Sequence, residues 1–243
     1  MIKPMKCRDY PKPFSDPNYI WEPKYDGARI LAQVNGTGYQ LRARSGSDKT
    51  KQFPELEFKT RSPCILDGEV VWAGDPEGMH FSYIQRRINR QNNIQQVQEN
   101  FPGVFEVFDI IEEDMNGIGI NLRRVPLGER KTILENILIP SSNVLLAPYY
   151  SNGQQLFDMA KENEREGIIG KYLNAGYSEG KREWLKVKVW QEGDFLVVGY
   201  TEGTGWRVST FGALILSDLK GNHVGAVGTG DLMIGKENSD VKP

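Results

Sequence analysis

The sequence has few cysteines, few histidines, no long apolar run and almost no net charge, and each shortage excludes a class of protein. Two cysteines, Cys7 and Cys64, cannot build a disulfide framework or a cysteine-rich zinc site, and neither belongs to a C-x-x-C pair. Both read as inert thiols. The only histidines, His80 and His223, stand far apart in sequence and read as structural. No stretch approaches the roughly 20 apolar residues that cross a bilayer, and MIKPMKCRDY has no apolar signal-peptide core. A cytoplasmic protein without a membrane partner is therefore expected. With 30 basic and 32 acidic side chains the net charge is −2, so any case for nucleic acid rests on local clusters and not on the whole field.

What is present is ordinary for a folded protein. In 243 residues, 39% hydrophobic and 26% charged side chains can bury a real core, which argues against disorder and leaves room for one large domain or two small ones. The 26 glycines favour turns and β structure. The lead-in KPMKCRDYPKPFSDPNY is rich in proline and basic residues without periodicity, and reads as an extended segment lying over the domain surface. Residues 29–34 and 39–44 alternate around Asn35-Gly36, the pattern of a β-hairpin. Residues 64–72, 103–111, 144–150, 167–173 and 183–190 are short, β-branched or aromatic, and bounded by breakers, as strands are. Helix formers fill 82–99, 128–138 and 154–165, the last ending before Gly167, a candidate C-cap region. The Gln/Asn-rich NRQNNIQQVQEN reads as a solvated helix face. After Gln191 the texture changes to β segments separated by glycine-rich turns, GDFLVVGYTEG, FGALILSDL and HVGAVGTG, which suggests a small barrel or part of one. The polar tail GKENSDVKP reads as frayed.

The string KYDGAR sets Lys24 just ahead of a strand, where a lysine is either a solvated charge or, if its ammonium is destabilised, a nucleophile. Alone it favours the solvated charge. Five further strings follow in order, ARSG, LDGEVV, VFDII, EGIIGK and WLKVK, each at a strand end and each offering chemistry that suits phosphate or a metal. In this order the chain resembles the covalent nucleotidyltransferase superfamily, and within it the ATP-dependent DNA ligases. The resemblance runs from Lys24 to Lys188.

That resemblance implies an α+β fold. A nucleotidyltransferase (adenylation) domain of antiparallel sheets with flanking helices would span residues 1–190, followed by a truncated or minimal OB-fold β-barrel over 191–243. It also implies roles. Lys24 would attack the α-phosphorus of ATP and carry AMP, with Asp26 positioning it or touching metal. Lys186 and Lys188, alternate residues on one strand, share a face and would neutralise phosphate charge. Glu69 would hold the ribose, and Glu69 and Glu166 would support Mg²⁺ or Mn²⁺, a hard cation that takes oxygen ligands beside substrate phosphates. Phe108 would stack on the adenine with Ile169 on its other face, and Glu22 would read the adenine amino group. Arg29 and Arg44 would hold the nick's 5′-phosphate and the AMP phosphate, a task for a planar bidentate donor. Arg86 and Arg87 in FSYIQRR would touch DNA, with Lys49, Lys51, Arg123, Arg124 and Lys181 as weaker candidates for backbone contacts.

The implied activity is sealing of nicks in duplex DNA by a monomer through a lysyl-AMP and a DNA-adenylate. The absence of zinc-ligand cysteines and of an extra N-terminal domain favours ATP over NAD as donor. One family feature is not found: the basic motif on the last barrel strand that orients pyrophosphate, since only DLMIGKENSDVKP follows Gly230. An RNA ligase, a GTP-using capping enzyme, and a catalytically inactive nucleic-acid-binding module remain as alternatives.

Overall fold

The computed structural model describes residues 2–74, 81–190, 193–205 and 208–228. His80, the tail and the region where the basic barrel motif was sought lie outside them. The chain divides into two compact units, Met1–Trp190 and Gln191–Pro243.

In the first unit a four-stranded sheet is built from β1 (Lys6–Asp9), β2 (Tyr19–Pro23), β9 (Gly167–Tyr172) and β10 (Arg182–Lys188), in the order β1-β10-β9-β2. A larger sheet takes β3 (Ala28–Asn35), β4 (Gly38–Ala43), β5 (Cys64–Trp72), β6 (Gly103–Met115) and β7 (Ile118–Asn121) in the order β4-β3-β5-β6-β7, with β8 (Val144–Leu146) beside β6. Four helices flank them: α1 (Phe81–Ile88), α2 (Ile94–Asn100), α3 (Leu127–Ile137) and α4 (Gly153–Glu162). The expected α+β class and the hairpin hold, with β3 and β4 paired from Ile30↔Ala43 to Asn35↔Gly38.

Three apolar layers follow from strand alternation. On β3, Ile30, Ala32 and Val34 face the core that α1 and α3 close with Ile84, Leu134 and Ile137, whereas Leu31 faces the other way. That other face meets the four-stranded sheet through Met5, Leu31, Phe108, Ile111, Tyr177 and Trp184. Behind the four-stranded sheet, Trp21, Ile168 and Val187 pack on Leu156 and Ala160 of α4. A fully buried side chain of this size contributes about 1.5–3 kcal/mol. The two sheets thus face each other across a gap whose lining is set by residue parity.

Several expectations are corrected. The lead-in is not merely draped over the surface: Lys6–Asp9 is an edge strand, parallel to β10, and Met5 is buried. A second parallel pair joins β6 and β8, so the sheets are not purely antiparallel. The single helix expected over 82–99 is two helices, with Asn93 in a left-handed conformation between them (φ 55°). Short polar side chains compete there with helix hydrogen bonds, and the end of α1 is closed from outside. Lys49 Nζ donates to the Ile88 carbonyl (2.7 Å) and Gln52 Nε2 to that of Arg90 (2.8 Å). The helix over 153–162 starts on an Asn152 side chain that accepts from Gln155 N, and ends at Asn163 with Glu164 left-handed (φ 54°). Gly167 is therefore not its cap; it opens β9.

The second unit holds an antiparallel meander of β11 (Leu196–Glu202), β12 (Phe211–Ser217) and β13 (His223–Gly228). The β12–β13 turn is tied by the Asp218 carboxylate, which accepts from the backbone of Lys220 (2.9 Å) and Asn222 (2.8 Å). His223 stands exposed at the start of the last described strand.

Candidate active site

Parity on six strands fills the gap between the two sheets. Glu22 on β2 points opposite to Trp21; Ile169 and Lys171 on β9 point opposite to Ile168; Trp184 on β10 points opposite to Val187. From the larger sheet come Arg29 on β3, Glu69 opposite it on β5, and Phe108 on β6. These side chains enclose a cavity of about 120 Å³, lined also by Cys7, Lys24 and Tyr25. The sequence therefore places Glu22, Lys24, Arg29, Glu69, Phe108 and Ile169 together from five separate segments. Asp26 lies in the loop between β2 and β3 and is not among the lining residues.

Lys24 sits just past β2, its backbone N–H donating to the Gly167 carbonyl (2.9 Å), and its ammonium pairs with the Glu166 carboxylate. Gly167 also lets β9 lie close against β10. It has φ +141°, and a Cβ there would lie 2.1 Å from the Val187 carbonyl oxygen. Glu69 is desolvated in the wall of the cavity, and burial pushes its pKa up to about 7 against the pull of Arg29 and Lys24. Glu69 also feels the negative charge of Glu166. Among the described residues no group of three or more potential ligands could hold a metal ion alone. Two carboxylates fit a Mg²⁺ that arrives with substrate phosphates and keeps part of its water.

The end of the cavity that holds Phe108 and Trp184 carries more charge than its apolar residues suggest. Glu22, 2% exposed, accepts from Lys131 of α3 and pairs with Lys171 (2.6 Å). Lys171 Nζ stands 4.3 Å from the Phe108 ring centroid and 4.1 Å from that of Trp184. Burial lowers its pKa to about 8, outweighing the attraction of Glu22, while Lys131 opposes a second charge. Arg29 also lies over Phe108, at 4.5 Å, and donates to both oxygens of Asp67 (2.6 and 2.7 Å). Burial alone would weaken its charge, yet Asp67 holds the guanidinium above its ordinary range. Asp67 in turn accepts from Tyr177 Oη (2.5 Å).

Lys186 and Lys188 share a face, as expected, but neither lines this cavity. Lys186 is 3.0 Å from Asp9, and Lys188 lies over Trp190 at 5.4 Å. Lys186 instead joins Arg44 and Arg29 in an adjoining cavity of about 290 Å³.

The DNA candidates divide sharply. Arg86 is exposed, lying over Tyr83 and Phe101. Arg87 is not available to DNA: it is 1% exposed, pairs with Glu55, donates to the Gln52 and Phe101 carbonyls and stacks on Phe53. Adjacent helical residues point about 100° apart, and here one turns out and the other in. Lys49 is committed to the end of α1, and Arg123 is held by Glu112 and Glu179 (2.6 Å each). Lys51, Arg124 and Lys181 are exposed.

Residues the sequence reading passed over are Cys7, Asp67, Lys131, Lys171, Tyr177 and Trp184. Asp67, Lys171 and Trp184 lie inside the quoted strings LDGEVV, EGIIGK and WLKVK, so parity on those strands points to the last two. Cys7 enters only through the register of β1 on β10, where it pairs with Trp184.

Residues 4–188 match the family model described as the ATP dependent DNA ligase domain. The SPbeta prophage-derived DNA ligase-like protein LigB of Bacillus subtilis is 32% identical over 205 residues, covering 83% of this chain and 72% of that protein. A DNA ligase of Thermococcus fumicolans is 29% identical over 229 residues, covering 86% of this chain but 40% of its own length. The chain thus spans less than half of that relative. Among solved structures, mycobacterial DNA ligase D complexed with ATP and MES superimposes with TM-score 0.63 at 23% identity, over 94% of this chain and 73% of that one, a likeness of fold. With the model spanning most of the first unit and LigB aligned along most of both chains, the protein belongs to the family of ATP-dependent DNA ligase domains.

Proposed function

We propose that this chain seals nicks in duplex DNA, using ATP and a divalent cation, and acts as a monomer. The observation that carries the reading is the placement of Lys24: it lines the same cavity as Phe108 and Ile169, and its ammonium is paired with Glu166.

In the first step the Lys24 ammonium gives up a proton, for which Glu166 is the adjacent base. The free amine attacks the α-phosphorus of ATP, the N–P bond forms, the bridging P–O bond breaks and its electron pair leaves with pyrophosphate. A second proton departs from the nitrogen as the phosphoramidate forms. In the second step AMP passes from Lys24 to the nick's 5′-phosphate, with Arg44 as a donor to phosphate oxygens and Arg29, whose fork is held by Asp67, as a fixed positive charge. In the third the 3′-hydroxyl displaces AMP. A Mg²⁺ brought by the nucleotide would be held by Glu69 and Glu166 and would neutralise charge developing on phosphate oxygens. The protein's own share is positioning and fixed charge around an in-line displacement.

Glu22 supports adenine over guanine. A carboxylate fed by two ammonium groups only accepts hydrogen bonds, which matches a 6-amino group and rejects a 6-oxo group. This favours ATP over the GTP of a capping enzyme. The reading is tested with a nicked duplex carrying a 5′-phosphate, supplied with ATP or GTP and with Mg²⁺ or chelator. Sealing only with ATP and cation is expected; sealing with GTP alone, or none under any condition, would overturn it.

A further inference from the structure

Glu22 is almost wholly enclosed, and a carboxylate so buried stays charged and fixed in place only with close positive partners. Two lysines supply them, and their roles differ. Lys131 Nζ donates to Oε1, whereas Lys171 Nζ lies 2.6 Å from Oε2 without the alignment of a hydrogen bond. Lys171 lines the cavity of about 120 Å³, and its ammonium stands 4.3 Å from the centre of the Phe108 ring on which a base would stack; Lys131 is not among the lining residues. A base that enters therefore disturbs Lys171 and leaves Lys131 in place. Oε1 stays committed to Lys131, and Oε2 is the oxygen left for the ligand.

Lys131 lies outside the motif strings, on α3, and the fold fixes it from several sides. The first turn of α3 is tied to the segment that follows β9, where the backbone N–H groups of Leu127 and Gly128 donate to the Ala175 and Leu173 carbonyls (2.9 Å each). The preceding residue, Arg130, donates to both oxygens of Asp109 on β6 (2.8 and 2.9 Å). The Lys131 ammonium also lies 5.1 Å from the centre of the Tyr149 ring, and the Tyr149 hydroxyl donates to Glu135, one turn along the same helix (3.1 Å). The helix thus holds its lysine against Glu22 through contacts with both sheets, none of which involves a residue that lines the cavity.

We propose that Lys131 is the positioning residue for purine selection: it holds Glu22 as an oriented acceptor whose Oε2 takes the 6-amino group of adenine, and it decides between 6-amino and 6-oxo purines without touching the nucleotide. The inference rests on the adenine reading proposed above. Without Lys131, Glu22 is half-paired in a buried site, and a proton taken up from solvent turns it into a donor that a 6-oxo group satisfies. A site built to bond one polar group rejects the analogue that lacks it only while its own polar atoms stay fixed.

The test compares the full chain with Lys131→Met and Lys131→Arg, using ATP and inosine triphosphate, in which position 6 carries oxygen in place of the amino group. Lys131→Gln, which keeps a donor for Oε1 without the charge, replaces the methionine variant if that one does not melt like wild type. Charging kinetics are measured with each nucleotide, and equilibrium binding of each is measured calorimetrically in the presence of chelator. Wild type is expected to prefer ATP. Lys131→Met or Lys131→Gln is expected to narrow that preference at least tenfold, through KM and binding rather than through the maximal charging rate, and Lys131→Arg to restore most of it. A preference unchanged within twofold in a folded variant would overturn the inference. So would equal weakening of both nucleotides, the mark of a structural role, or a wild type that binds the two alike. If wild type never becomes charged but binds ATP over inosine triphosphate, and the variant loses that preference, the charging reading falls and the role of Lys131 stands.

Discussion

Arg86 and Arg87 are neighbours in one helix with opposite fates, and substitution should separate them. Arg87→Ala leaves Glu55 and two backbone carbonyls without their donor, and breaking a buried pair of this kind costs about 3–5 kcal/mol. Chemical denaturation should show that loss, and a variant as stable as wild type would refute the structural role. Arg86→Ala should leave stability within about 0.5 kcal/mol and weaken nick binding instead. Lys171 allows a pH test. Its pKa falls from 10.5 to about 8 on folding, so between those values the unfolded chain holds a proton that the folded chain has released. Stability then rises with pH across that window, by about 3 kcal/mol in the limit. Lys171→Met should remove the rise; parallel stability curves for the two proteins from pH 8 upward would contradict it. At this scale the sequence pointed to Lys24 and most of the residues that line a cavity with it, because their strings keep fixed order and strand parity. It did not show that Glu22 is shared by Lys131 and Lys171, or that Arg29 is tied to Asp67, since those pairings join segments tens of residues apart.

Among the elements, the β9–β10 pair supplies Ile169, Lys171 and Trp184 to the cavity, and Gly167 is its tightest point. Gly167→Ala would push a Cβ into the Val187 carbonyl and impose a left-handed conformation on an alanine, at a cost of about 2–4 kcal/mol. It should lower the melting temperature and disable Lys24 charging together; unchanged melting would show that the strand can give way. The strands over 64–72 and 167–173 were legible because each is a short apolar run between breakers. Strand β1 was hidden by prolines on either side and by its parallel pairing to a strand near the far end of the unit. The break near Asn93 was hidden too, since helix formers dominate 82–99, and the closing bonds from Lys49 and Gln52 are non-local.

For the molecule as a whole, a net charge of −2 conceals local fields of one sign. Counting Arg44, Lys51, Arg86, Arg124 and Lys181 as the exposed cations that meet phosphate, nick affinity should fall with a log–log salt slope of about −4.5. Fluorescence anisotropy across a salt series would read it, and a flat response would argue against backbone binding. The change from mixed elements to glycine-punctuated strands falls where the chain divides into two compact units. The measurement that tests the central claim most directly is incubation with ATP labelled on its α-phosphate and Mg²⁺, then denaturing electrophoresis and peptide mapping. Label retained on the Lys24 peptide, and lost in a Lys24→Ala variant that melts like wild type, is the expected result. Equal label in that variant, or label mapped to another residue, would contradict the account.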